Sequence, residues 1–352
     1  MCTCASPVYH RNPLQCIVPL HILVEIASRG DPQQRSRAMQ HLAMSERLRG
    51  HREILGQMLG LFQSAGDQKR RTIFDAQGAE NLPGVVVRNE GDEPSQDVAV
   101  NEAYDGAGAT YDLYKEKFNR NSIDDQGLRL DSTVHYGQTF DNAFWNGRQM
   151  VYGDGDGQLF NRFTIAIDVI GHELTHGVTQ YSAGLLYQDQ SGALNESISD
   201  VFGSLVKQYQ SKQAANDADW LIGAGLLAAG VNGVALRSMK APGTAYDDPT
   251  LGKDPQPAHM NDYVNTTSDN GGVHINSGIP NHAFFVLATT LGGNAWEKAG
   301  QIWYGALKQF SPDTDFQGAA VITVQTARTL FNVGSIEEQA VVDAWAKVGI
   351  NV

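Results

Sequence analysis

Residues 172–176 read His-Glu-Leu-Thr-His, and the two histidines stand four apart, so on an α-helix both imidazoles leave one face and can point at a single ion. That supplies two ligands for zinc, whose catalytic sites keep three protein ligands and one position open to water. Glu196 offers the third. It lies 20 residues after His176 in GALNESISD, and two antiparallel helices joined across 182–190 return its carboxylate to the histidine pair. Asp200 follows one turn later on the same face, placed to accept the free ring N–H of a ligand histidine and set its tautomer. Glu173 leaves the helix about a third of a turn from His172, which aims it at the metal's water and not at the metal. Its expected role is general base, taking the proton of a zinc-activated water that attacks a carbonyl. A bare HExxH recurs by chance on surface helices. Apolar Ile165, Val169 and Ile170 upstream and the Glu/Asp pair downstream single out a zinc hydrolase here.

The elements that must position these groups are legible in outline. The first 62 residues read as helical, with one helix opened by Pro19 and a second opened by Asp31-Pro32, an N-cap followed by proline at the first helical position. SAGDQKRR at 64–71 has the composition of an exposed linker. From about 73 to 157 short runs such as VVVR, STVHYG and RQMVYG, punctuated by Gly, Asn and Asp, predict strands and turns, interrupted by one helix near 98–119. Beyond Phe160 the period lengthens, and helices are expected over 160–181, 191–211, 276–291, 295–309, 316–330 and 336–347, the last opened by Ser335 with Glu338 as a capping box.

Composition excludes several classes of function. The chain has 352 residues, 41% apolar and 18% charged, enough for two packed lobes with a cleft between them. No apolar run is long enough to span a bilayer. Residues 1–71 carry a net charge of +5 and residues 72–352 a net charge of −18, so the two parts attract each other. An acidic body without a basic stripe argues against nucleic acid and anionic membrane as partners. Cys2, Cys4 and Cys16 all stand near the N-terminus, which leaves the body without an internal disulfide. Pro19, His21 and Glu25 interrupt the apolar stretch that a secretory signal needs, so synthesis in the cytoplasm and release by a non-signal route are expected.

Four blocks, DNAFWNGRQMVYGDGDG, AIDVIGHELTHGVTQYSAGLLYQ, SGALNESISDVFGSL and SDNGGVHINSGIPNHAF, resemble the thermolysin family of neutral metallopeptidases in family order. The resemblance runs from about residue 73 to the C-terminus, and the short N-terminal segment with CIVPLHILVEIASRG is similar to the compact propeptide of the protealysin subgroup. It implies an α+β fold of two lobes, a β-rich N-terminal lobe over 72–181 that includes the active-site helix and a mainly helical lobe over 182–352. A small helical propeptide over 1–65, inhibitory and cleavable, precedes them.

The resemblance also implies roles. Asn142, Ala143 and Trp145 would hold an extended substrate along an edge strand. Tyr187 and His274 would hydrogen-bond the oxygen on which negative charge develops, with Asp269 orienting His274. Arg237 would bind a substrate carbonyl, and Phe160, Phe163, Val169, Ile222 and Leu236 would line an apolar pocket for the side chain after the scissile bond. Cleavage before Leu, Phe, Ile or Val follows, with peptides and proteins as substrates, the propeptide as a partner in cis and a monomeric enzyme. One catalytic Zn2+ is expected.

The family's paired calcium site is reduced, since Asp168 and Asp219 are kept but Lys207, Leu221 and Ala224 stand in neighbouring positions; at most one weak Ca2+ site remains, and GDGDG at 153–157 reads as a glycine-rich turn. Maturation is expected around 63–71, and zinc ligation by an N-terminal cysteine in the precursor is the minor alternative. An exopeptidase is disfavoured because no GxMEN-like block precedes the motif. A zinc-binding protein without catalysis would not need Glu173, Tyr187 and His274 together.

Overall fold

The computed structural model describes residues 15–55 and 66–352, with the side chains of 16–44 and 66–352. The expectations for Cys2, Cys4 and a cut within 56–65 lie outside them. In chain order the elements are β1 (Gln15–Cys16), α1 (Leu20–Arg29), α2 (Pro32–Leu55), β2 (Arg71–Asp75), β3 (Val85–Asn89), α3 (Val98–Phe118), β4 (Leu130–Val134), β5 (Ala143–Trp145), β6 (Met150–Tyr152), α4 (Ile167–Gln180) and α5 (Asp189–Ser211). There follow α6 (Asp269–Asn276), α7 (Gly278–Leu291), α8 (Lys298–Leu307), α9 (Phe316–Phe331) and α10 (Ile336–Lys347). The sheet-rich first part and the helical second part make an α+β fold.

Six strands form one sheet in the order β1-β5-β6-β4-β2-β3. β2, β4 and β6 run parallel to one another, while β3, β5 and β1 pair antiparallel. Local chemistry sets the helix starts. Asp31 accepts from Gln33 N and Gln34 N at 2.8 Å to open α2, Asp97 opens α3, and Ser335 Oγ accepts from Glu338 N at 3.2 Å to open α10.

α4 is buried along 168–179 and packs against both the sheet and α5. Its neighbour approaches so closely because Gly203 of α5 has no side chain: a Cβ there would lie 2.4 Å from Asp168 O and 3.0 Å from His172 N. That crossing is what returns α5 to the histidines.

Four expectations need correction. The first 62 residues are not uniformly helical, since Gln15–Cys16 is a strand. β5 was expected at the sheet's edge, but β1 covers it, pairing Gln15 with Trp145 and Cys16 with Phe144. The helix expected from residue 160 begins only at Ile167; Phe160 bridges to Leu227, and Phe163–Ile165 is a single 3-10 turn whose first N–H donates to Gly153 O. Those backbone groups bond across the fold, so they are not free to start a helix. The helix expected over 276–291 begins at Gly278 as α7, with Ser277 separating it from α6, which ends at Asn276.

Candidate active site

The α4–α5 crossing brings together His172, His176 and Glu196, all buried, with their ligand atoms within 4.8 Å of one another. His172 Nε2 and His176 Nε2 are 3.0 Å apart, and Glu196 lies 3.5 and 3.4 Å from them. The ring nitrogens on the far side are engaged: His172 Nδ1 meets Asp200 at 2.8 Å, and His176 Nδ1 meets Asn195 Oδ1 at 2.8 Å and Ser199 Oγ at 3.0 Å. With Nδ1–H donating, each Nε2 presents a lone pair to the other, an arrangement that repels unless a cation lies between them. Glu196 Oε2 is buried without a hydrogen-bond partner, which points the same way. Two imidazoles and one carboxylate are the donor set of a catalytic zinc site, and these residues fit it. Among the described residues Cys16 is not part of this cluster.

Asp200 does more than face one histidine. Its carboxylate also takes both Nε and Nη2 of Arg237 at 2.8 Å and Asn281 Nδ2 at 2.8 Å. Burial would raise its pKa, but the Arg237 guanidinium and the His172 N–H hold it well below the usual carboxylate range. Asp200 is therefore a fixed negative charge behind the metal ligands. Asn195, Ser199 and Asn281 are partners that sequence reasoning missed. Asn195 and Ser199 sit one residue before and three residues after Glu196 on the same helix, a spacing that would have revealed them, whereas Asn281 comes from α7 with no local signal.

Glu173 is buried beside the cluster, and one carboxylate oxygen accepts from Trp145 N at 2.9 Å. Trp145, expected to bind substrate, thus holds Glu173 through its backbone. Across the site, Tyr187 donates its hydroxyl to Glu196 Oε1 and lies 3.2 Å from His274 Nε2. His274 is oriented twice by Asp269, which accepts from Nδ1 at 2.7 Å and from the backbone N at 3.0 Å. The tight loop that permits this runs through left-handed backbone at 269–272, and at Gly271 a Cβ would fall 2.0 Å from Asp189 Oδ1, so only glycine fits. Burial lowers the His274 pKa, but Asp269 and then Glu196 carry it up to about 9. At neutral pH both ring nitrogens are protonated, and Nε2 is a charged donor aimed into the cleft.

The N-terminal segment crosses this cleft. Ile17 N donates to Ala143 O at 3.1 Å, Val18 N to Asn142 Oδ1 at 3.0 Å, and Arg237 Nη1 to Ile17 O at 3.2 Å. His274 Nε2 meets Cys16 O at 3.2 Å. Phe160, Phe163, Val169, Ile222 and Leu236 are all buried in the main core, which also takes in Ile17. Ile222 pairs with Arg237 across the short ladder, and Leu236 N donates to Ile222 O at 3.0 Å.

The residues expected around a calcium ion are filled by protein groups. Lys207 Nζ lies 3.0 Å from Asp168, 2.8 Å from Asp219 and 2.9 Å from Leu221 O. In GDGDG, Asp154 pairs with His135, while Asp156 accepts from the N–H groups of residues 158–160 and pairs with Arg37 at 3.1 Å.

Residues 60–180 match the model of the thermolysin metallopeptidase catalytic domain, and residues 183–350 that of its alpha-helical domain. An extracellular metalloprotease of Pectobacterium carotovorum subsp. carotovorum is 52% identical over 353 residues, covering 97% of this chain and 98% of that protein. Protease PrtS of a Photorhabdus species is 57% identical over 290 residues, 81% of this chain and 78% of its own length. Among solved structures, the precursor of protealysin, a metalloproteinase from Serratia proteamaculans, superposes with a TM-score of 0.88 at 55% identity, covering 96% of this chain and 99% of that one. No helix among the described residues is long and apolar enough to cross a membrane. The chain belongs to the thermolysin family of metallopeptidases, of the protealysin-like kind, and is a zinc metalloendopeptidase synthesised as a precursor.

Proposed function

We propose that His172, His176 and Glu196 hold the zinc, that Glu173 is the general base, and that the enzyme cuts peptide bonds on the N-terminal side of bulky apolar residues. The observation that carries this is the convergence of the three ligand atoms with the Glu173 carboxylate held beside them by Trp145 N at 2.9 Å. Zinc, when bound, supplies a Lewis acid that makes water acidic and polarises a carbonyl.

The chain's own groups do the rest. Ala143 O and the Asn142 amide hold an extended substrate as an added strand, and Arg237 takes the carbonyl after the scissile bond. Glu173 accepts the water's proton and passes it to the leaving nitrogen. Protonated His274, steadied by Asp269, and the Tyr187 hydroxyl donate to the oxygen on which charge develops. Phe160, Phe163, Val169, Ile222 and Leu236 line the pocket for the next side chain, and their complete burial in the core cluster that also holds Ile17 supports that reading.

Residues 1–65 act as a cis propeptide that blocks the cleft, followed by a β-rich lobe over 72–181 and a helical lobe over 182–352. Maturation falls around 63–71, the mature enzyme is a monomer, and release occurs by a non-signal route. Peptide hydrolysis with and without a chelator, comparing wild type with Glu173→Ala, tests the central claim. The variant is expected to keep its zinc and lose turnover by roughly 10²–10⁴-fold. A fully active variant would remove Glu173 from the mechanism.

A further inference from the structure

We propose that the Cys16–Ile17 peptide bond is itself a substrate, cleaved once in cis, so that the N-terminal segment is nicked in place before the helices behind it are removed. The inference rests on the reading of the site above. Under that reading the carbonyl facing His274 Nε2 belongs to the scissile bond, the carbonyl facing Arg237 comes one residue later, and the side chain between them fills the apolar pocket. Cys16 O meets His274 at 3.2 Å, Ile17 O meets Arg237 at 3.2 Å, and the Ile17 side chain is fully buried. The N–H groups agree in register, Ile17 to Ala143 O and Val18 to Asn142 Oδ1. The segment therefore runs through the cleft in the direction of a substrate to be cut before isoleucine, a residue of the class the pocket accepts. A segment lying in the reverse direction would present no carbonyl to His274 immediately ahead of the buried side chain.

The step balances simply. Water adds to the Cys16 carbonyl carbon, Glu173 takes its proton and delivers it to the Ile17 nitrogen, and the C–N bond breaks. The second proton of the water also ends on the nitrogen, leaving a carboxylate on Cys16 and an ammonium group on Ile17. The nick separates residues 1–16 from the rest of the chain; of these, Gln15 and Cys16 pair with β5, and Cys16 O meets His274. The rest stays seated. Ile22, Leu23, Ile26 and Ala38 are buried against the body, His21 Nε2 meets Tyr246 OH at 3.0 Å, and Arg37 pairs with Asp156.

The test uses the full-length chain, purified in chelator and then given zinc, followed by intact mass and N-terminal sequencing. Loss of residues 1–16 with a new N-terminus at Ile17 is expected, with a half-time unchanged on roughly hundredfold dilution, as an intramolecular step requires. A chain already beginning at Ile17 on purification supports the same conclusion. Ile17→Leu should be nicked, whereas Ile17→Asp and Glu173→Gln should not. In the chelated chain, amide exchange at Ile17 and Val18 should be slowed; exchange as fast as in an unstructured peptide would overturn the register.

Processing that leaves Cys16–Ile17 whole, or a half-time that lengthens in proportion to dilution, overturns the proposal. Ile17→Asp, whose plug is weakened, separates the two readings. If it hydrolyses an added Leu-containing peptide while the wild-type chain is never nicked, this inference falls and the enzyme assignment stands. If the chain freed of α1 and α2 by limited proteolysis also hydrolyses nothing, the assignment of the site falls too.

Discussion

Replacing Lys207 with methionine removes a charge and little volume from the place where a cation is held between α4 and α5. Asp168 is 1% exposed, and the Lys207 ammonium reaches it at 3.0 Å while also bonding Asp219 and Leu221 O. Burial would lower the lysine pKa, but Asp168 and Asp219 raise it above its ordinary value, so the ammonium stays charged. Removing one partner of a buried pair costs about 3–5 kcal/mol. Unfolding entropies of about 2.1 cal/mol/K per residue over a chain of this length give roughly 0.7 kcal/mol/K, so the loss corresponds to a Tm lowered by roughly 4–7 °C.

The orphaned Asp168 can escape part of this cost by taking a proton. A carboxyl with a raised folded pKa favours the folded state below its unfolded value near 3.9 and loses that contribution as pH rises, so the deficit of the variant should shrink from pH 7 towards pH 5. Calcium separates this account from a general packing defect. Lys207→Asp places a third carboxylate beside Asp168, Asp219 and Leu221 O, and its Tm should rise in millimolar calcium, which favours clustered oxygen ligands. The wild-type Tm should not respond, because its own ammonium occupies the place. Thermal melts of the three chains with and without calcium are the assay. A Lys207→Met chain as stable as wild type, or a wild-type chain stabilised by calcium, would refute the reasoning.

Asp200→Asn should weaken zinc binding by roughly 10–100-fold, measured by competition with a chromophoric chelator, because it removes the carboxylate that fixes His172 and leaves Arg237 buried without its counter-charge. Acid should loosen the N-terminal helices. Burial holds the pKa of both His21 and His41 down to about 4, so their stabilisation is complete above the unfolded value near 6.5 and is lost as pH falls towards 4, about 3 kcal/mol for each ring. Asp141, raised to about 8 by burial and by Asp156, acts in the opposite direction across this window. The net of two histidines against one carboxyl is a single proton, or about 3 kcal/mol between pH 6.5 and 4. Amide exchange over α1 should accelerate through that range; protection that is flat with pH would contradict it.

What the sequence made legible was whatever depends on local chemistry and period. Ser335 and Glu338 mark the start of α10 because a cap is a contact between residues three apart, and the HELTH spacing puts two imidazoles on one face of any helix. Glu196 and Asp200 could be paired with them because a single connection separates the helices. The strand at Gln15–Cys16 had no such mark: two residues carry no alternation, and they become a strand only because β5 offers them partners. Phe160–Ala166 misled for the opposite reason, since its apolar spacing suits a helix while its backbone is claimed by Leu227 and Gly153 across the fold. Asn281 reaches Asp200 from 81 residues away, and no pattern in the chain announces it.

The covering of β5 shows how activity and its restraint share one surface. An uncovered edge strand is a template for any extended chain, which is the property a peptidase needs and an unprocessed precursor must mask. Here Gln15 to Val18 saturate that edge, yet their few backbone bonds are interchangeable with those of an incoming peptide and give the segment little advantage over one. The advantage comes from what lies behind them. Ile22, Leu23 and Ile26 are buried against the body, each worth about 1.5–3 kcal/mol if its burial is lost, and they raise the local concentration of the strand they carry. Cutting before Ile17 leaves all of these contacts in place. Under the proposed maturation, opening the cleft therefore depends on removing α1 and α2 by a cut in the linker that follows them, and not on cutting the strand in the cleft.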